Sequence, residues 1–240
     1  MGKKKLLVLG ILGIGLLITG VVIYLEYNTP QRTSFEAFSF ATGYILPLAL
    51  PLLAGLSTGD MLAEDRHLGL VQLFMSRGVL PYQYISGKAI GSVVGQICFT
   101  GGLLITFLLT TFLLFPAGPI LEYAADFAKA FAATNPMVYC LVLLLIYVCA
   151  ATAFSGIALL VSVWIENIFV VVVTPTILYF AALYSLSMSL INPYCYLALN
   201  EGVSSSPSFT FLKVMGYWIT ISVTVHVLAV MAFSLKKDHS

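Results

Sequence analysis

Ser155 and His226 are the residues of this sequence whose types could make a nucleophile and its base. Both lie in apolar runs, AFSGIA and SVTVHVLAV, so the chemistry open to them is intramembrane hydrolysis. Ser155 has no Gly-x before it and no oxyanion donors can be assigned to it. A neutral histidine bonded to a neighbouring helix is the commoner arrangement. A second place to look is YQYISGKA, where Lys88 follows Gly87 as in a phosphate-cradling loop. Tyr82 holds the first glycine position, however, and Ala89 stands where a Ser or Thr hydroxyl would bind magnesium. The chain is not expected to hold a nucleotide, to be an enzyme or to need a cofactor. His67, His226 and His239 form no ligand cluster, and Cys98, Cys140, Cys149 and Cys195 have neither metal nor redox spacing, so no metal is expected either.

The densest polar stretch is STGDMLAEDRHLGLVQLFMSRGVLPYQYISGK at residues 57–88. It carries Asp60, Glu64, Asp65, Arg66, Arg77 and Lys88 between two apolar runs. Each charge would cost about 3 kcal/mol at bilayer depth, so the strip stays outside the hydrocarbon. GDMLAEDRHLGLVQLFMSR reads as one helix, with its acids at the front and Arg77 at the end, as the helix macrodipole prefers. Leu68, Val71 and Met75 fall on one face, and Leu70, Leu73 and Phe74 widen it. VLPYQY then breaks the helix at Pro81. Such a strip either lies flat on the membrane or docks on a protein. Three acids at its front suit a basic or polar protein surface better than an anionic leaflet.

The elements that position this strip follow from composition. Of 240 residues, 60% are hydrophobic and 9% charged, with a mean hydropathy of +1.02. Soluble domains carry roughly a quarter charged residues. Apolar runs long enough to cross a bilayer recur, so the expected fold is an all-α integral membrane protein, one domain over residues 1–240. Six spans are expected, at about 6–25, 37–58, 89–115, 138–163, 168–191 and 214–235. Lys3, Lys4 and Lys5 precede the first, which is read as an uncleaved anchor because no small-x-small site follows it. Lys3, Lys4, Lys5, Arg66, Arg77, Lys88, Lys236 and Lys237 fall on one side, against Arg32, Lys129 and Lys213 on the other. The positive-inside rule then puts both termini and the 59–88 loop in the cytoplasm.

Within the spans, Gly87, Gly91 and Gly95 form a small-residue ridge for helix packing, within the chain or against a second copy. Pro47, Pro51 and Pro175 should bend their helices. In the loop FPAGPILEYAADFAKAFAATNP (115–136), Tyr123, Phe127 and Phe131 make an aromatic stripe suited to the membrane interface. The loop 192–213, with SSSPS, should be irregular. No formal charge lies deep in a span, which argues against ion-coupled carriers and for an apolar cargo or no pathway. A net charge of +1 gives no reason to expect nucleic acid as a partner.

At the charged strip the sequence resembles the permease subunits of type-2 ABC exporters. Their loop between helices two and three has a small residue and Asp, an acidic pair with Arg, a Gly, an apolar stretch, a basic end and a Lys opening helix three. Gly59-Asp60, Glu64-Asp65-Arg66, Gly69, Ser76-Arg77 and Gly87-Lys88 follow that order. Asp65 stands for the usual Glu and Leu70 for the usual Thr. The family usually begins with an amphipathic leading helix, whereas here Met1–Lys5 precede the expected first span. The resemblance implies a six-helix permease with both termini cytoplasmic, in a bacterial cell membrane. It implies a second permease chain, identical or paralogous, and two copies of a separate ABC ATPase that binds the ATP and magnesium. The ATPase-coupling surface it implies comprises Asp60, Glu64, Asp65, Arg66, Leu68, Gly69, Val71, Met75, Arg77 and Lys88. Cargo would be a hydrophobic or amphipathic substrate: a peptide (including antimicrobial peptides), an antibiotic or a lipid. Two other readings are a non-transporting scaffold or sensor whose strip binds a cytoplasmic regulator, and the Ser155–His226 hydrolase.

Overall fold

The computed structural model describes residues 15, 18, 33–59, 61–118, 135–185 and 211–236. Among them there is no strand. The helices are α1 (Ser34–Tyr44), α2 (Leu46–Ala54), a π-helical turn (Gly55–Gly59), α3 (Met61–His67), α4 (Leu70–Ser76), α5 (Pro81–Leu114), α6 (Pro136–Ser162), α7 (Ile168–Ser185) and α8 (Phe211–Leu235). Five helical runs are long and apolar enough to cross a membrane: Leu46–His67, Pro81–Leu114, Pro136–Ser162, Ile168–Ser185 and Phe211–Leu235. This is the architecture of a multi-pass all-α membrane protein. The expected span at 6–25 apart from Gly15 and Ile18, the aromatic stripe at Tyr123–Phe131, the SSSPS loop, Asp60, Cys195 and Lys237 lie outside the described residues.

Local chemistry sets the helix boundaries. Thr33 caps α1, its hydroxyl accepting from the Glu36 amide at 3.3 Å, and Glu36 lies in the first turn where the macrodipole favours an acid. Pro47 sits in the first turn of α2, where a missing N–H is harmless, and the single turn residue Ile45 separates α1 from α2. Asn135 caps α6 through the Met137 amide at 3.0 Å, and Asn167 caps α7 through Phe169 at 3.0 Å. Pro175 lies inside α7 as the sequence indicated.

Two expectations about the strip are corrected. It is not one helix: Gly69, at φ 70, separates α3 from α4, because the left-handed backbone there ends the first helix. Gly78, at φ 84, ends the second. Pro81 does not break a helix but begins one. It occupies the first turn of α5, where proline's fixed φ is pre-organised, and Leu80 precedes it in an extended conformation. The third span therefore starts eight residues before the expected Ala89. Its 34 residues reach about 50 Å, well beyond a hydrocarbon core of about 30 Å, and its first turns pack against α3.

Helix α6 is the central element, in contact with α8, α5, α7 and α2. Lipid gives no hydrophobic drive between helices, so close packing and interhelical hydrogen bonds hold the bundle. Phe154 meets Trp218 of α8 and Tyr179 of α7, with ring centroids 5.3 and 5.6 Å apart. A Cβ on Gly156 would stand 2.5 Å from Val225 Cγ2 and 2.6 Å from His226 Cε1, so only glycine permits the α6–α8 approach. A Cβ on Gly55 would stand 2.5 Å from the Val172 carbonyl oxygen, which fixes the π turn against α7. Buried hydroxyls and one amide bridge the rest: Ser39 to Tyr139 at 2.8 Å, Ser57 to Gln96 at 2.6 Å, Ser92 to Ser155 at 3.1 Å, and Ser222 to Thr152 at 3.2 Å.

Candidate coupling surface at the loop end

A second core, at the end of the bundle that carries α3 and α4, positions the charged strip. Leu62 and Val71 from the strip, Tyr84 and Ile85 from α5, Leu159 and Val163 from the α6 end, and Phe233 from α8 form one buried cluster. Phe74, Tyr84 and Phe233 stack in series, with centroids 5.7 and 5.9 Å apart. The strip is therefore packed onto the spans along its length.

Two adjacent residues clamp α3 on opposite sides. Asp65 is buried, and its carboxylate accepts hydrogen bonds from the Tyr84 hydroxyl and, at 2.5 Å, from the Lys88 ammonium. Tyr84 and Lys88 are four apart on α5, so both reach one carboxylate from one face. The Lys88 ammonium also lies 5.7 Å from the Tyr84 ring centroid, which further orders the trio. On the other side, Arg66 Nη1 donates to the Ser162 and Val163 carbonyls at 2.9 and 2.8 Å, and Nη2 to Glu166 at 2.7 Å. Lys236 adds a bond to the Val163 carbonyl at 3.2 Å. The last carbonyls of α6 have no intrahelical partners, and two cations meet them, as the negative end of a helix requires.

This arrangement revises the expected docking face. Asp65, Arg66 and Lys88 are engaged inside the chain. Val71 is buried and Met75 packs against the same cluster, so the face carrying them points into the bundle. Glu64, His67, Leu68, Gly69, Leu73, Phe74 and Arg77 are exposed, Leu68 by 61%. The outward face of the strip is thus acidic at Glu64, apolar at Leu68, Leu73 and Phe74, and basic at Arg77. Asp60 lies outside the described residues.

The helical period showed which residues share a face, but not which face the bundle would take. Tyr84 and Glu166 were not expected at the site. The four-residue spacing from Lys88 was the one sequence signal for Tyr84, and nothing in the sequence paired Glu166 with Arg66.

Two other candidate groups fall elsewhere. Nothing lies within 4 Å of a Cβ built on Gly87 or Gly91, so this part of the small-residue ridge meets no helix among the described residues. Ser155 bonds to Ser92 and donates to the Thr152 carbonyl at 2.9 Å, while His226 Nδ1 is 2.8 Å from the Ser222 carbonyl of its own helix. The hydroxyl and imidazole thus have separate partners. No protein family, curated protein or solved structure matches the chain.

Proposed function

We propose that this chain is the permease subunit of an ATP-driven ABC exporter that moves a hydrophobic or amphipathic peptide, antibiotic or lipid. The observation that carries the reading is the strip between the second and third expected spans. It is folded, clamped to α5 by Asp65 and to the α6–α7 turn by Arg66, and still presents Glu64, Leu68, Leu73 and Arg77 outward. A loop that only joined two spans would need neither clamp nor an exposed apolar face. In this reading the strip is cytoplasmic, and a separate ATPase takes the outward face in a groove. Its motion passes through two short ion-paired contacts to three spans. The open Gly87–Gly91 ridge supports a second permease chain beside α5.

The test is recovery of the ATPase per permease after detergent purification, together with substrate-stimulated ATP turnover. Leu68→Asp and Glu64→Ala together should lower recovery at least tenfold, a change of only about 1.4 kcal/mol. Lys129→Ala, in the opposite loop, should leave recovery unchanged. Wild-type recovery and turnover in the loop variant would remove the coupling assignment. The same surface would serve a scaffold or sensor subunit that binds a regulator. That reading wins if a partner is lost with the variant but no cargo stimulates ATP turnover.

A further inference from the structure

Beside the clamp lies a cavity of about 350 Å³, lined by Arg66, Gln72, Glu166 and Lys236 over Val71 and Phe233. We infer that this cavity holds the phosphodiester headgroup of a membrane lipid at the loop end of the bundle. Three observations converge on that ligand, and none depends on the transport reading.

The first is donor chemistry. The Lys236 ammonium makes one hydrogen bond among the described residues, to the Val163 carbonyl, which leaves two N–H groups for a ligand. The Gln72 amide is exposed and makes none among the described residues. Arg66 uses both hydrogens of Nη1 and one of Nη2, so Nε and the second Nη2 hydrogen remain. Among the described residues Glu166 is the one acid in the lining, and its carboxylate is already paired with Arg66 at 2.7 Å. The unspent groups are therefore donors, and the lining has one cation more than it has anions. A phosphate diester supplies acceptor oxygens and a single negative charge, which matches that set.

The second is depth. The cavity sits at the ends of α6 and α8, and Trp164, 59% exposed, stands next to Val163. An exposed tryptophan at the end of a span belongs at headgroup level, where its apolar ring and its N–H are both accommodated. The third is a path for the acyl chains. On α8, Leu228, Met231 and Leu235 form an exposed apolar ridge at helical spacing that ends one residue before Lys236. The headgroup site and the hydrocarbon surface are thus continuous along one helix. Basic pockets between helix ends are a known setting for anionic lipid headgroups.

Native mass spectrometry of the full chain in neutral detergent tests the site. Dioleoyl-phosphatidylglycerol should bind at one copy per chain, and dioleoylglycerol, which lacks the phosphate, should not. Lys236→Gln and, separately, Gln72→Leu should each weaken phosphatidylglycerol binding several-fold, with Lys236→Gln reaching about tenfold. Lys213→Gln, at the opposite end of α8, should not. Size-exclusion profiles check that each variant is folded, and Gln72→Leu should leave the α6 cap untouched. Equal binding of phosphatidylglycerol by wild type and both cavity variants would overturn the site. So would equal binding of dioleoylglycerol, since acyl chains alone would then explain it. Inorganic phosphate at millimolar concentration should not displace the lipid; if it does, the cavity is a free-phosphate site and the lipid assignment falls.

Discussion

Replacing Asp65 with alanine should free α3 from α5 without dissolving the bundle. The substitution removes a carboxylate that accepts from two groups and leaves the Tyr84 hydroxyl and the Lys88 ammonium without it. Stranding a buried hydroxyl costs about 1–3 kcal/mol. Breaking a fully buried ion pair costs about 3–5 kcal/mol, but the Lys88 side chain is 23% exposed and can turn its ammonium toward water. Discounting the charge for that solvation, as a partly exposed pair requires, leaves about 2–3 kcal/mol in all. The loss is local, because Leu62 and Ala63 on the same short helix keep their apolar contacts. Hydrogen exchange in detergent is the assay. If α3 opens separately from the bundle, amides of residues 61–67 should exchange roughly 30- to 150-fold faster, while those in the middle of α6 stay as in wild type. A double-mutant cycle with Lys88→Ala should show a coupling of about 1–2 kcal/mol, since each single variant already removes the shared contact. A coupling below about 0.3 kcal/mol, with unchanged exchange in α3, would refute the clamp.

Arg66→Met removes three bonds from the α6–α7 turn and should lower the thermal midpoint far more than Arg77→Met, whose side chain is exposed, as a fluorescence melt would show. Gly55→Ala would place a methyl 2.5 Å from the Val172 carbonyl and should destabilise the fold by about 1–3 kcal/mol. Gly87→Ala and Gly91→Ala meet open space, so they should leave the melting of the single chain unchanged while weakening any dimer built on that ridge, as crosslinking would reveal. Gln96→Leu gives up the interhelical bond to Ser57, for which bilayer values of about 0.6–1.7 kcal/mol apply, and also its bond to Thr100 within α5. A single cysteine at Leu73, in a chain without the native cysteines, should resist an impermeant thiol reagent on intact cells and react once the membrane is opened. Labelling of intact cells would reverse the proposed orientation.

Composition and run length establish the class of this protein and the approximate place of several of its spans. Membrane spans are set by local composition and length, because lipid accepts only backbone whose hydrogen bonds are closed within the segment. The runs at Pro136–Ser162 and Phe211–Leu235 could therefore be read to within a few residues. Pro175 falls inside its helix, as the sequence placed it. The roles of Gly69 and Pro81 were misjudged although both are local: glycine takes the left-handed backbone that ends a helix, and proline fits the first turn of one. The tertiary structure alone decided which side of the strip is inward. The 3.6-residue period places Val71 and Met75 on one face, yet nothing local says whether that face meets the bundle or a partner. That Asp65 would meet Tyr84 and Lys88, and Arg66 the carbonyls of Ser162 and Val163 nearly a hundred residues away, was equally hidden. Neighbouring charges on a short helix point to different sides. Which charges are spent inside the chain and which remain for a partner depends on where two distant helix ends arrive.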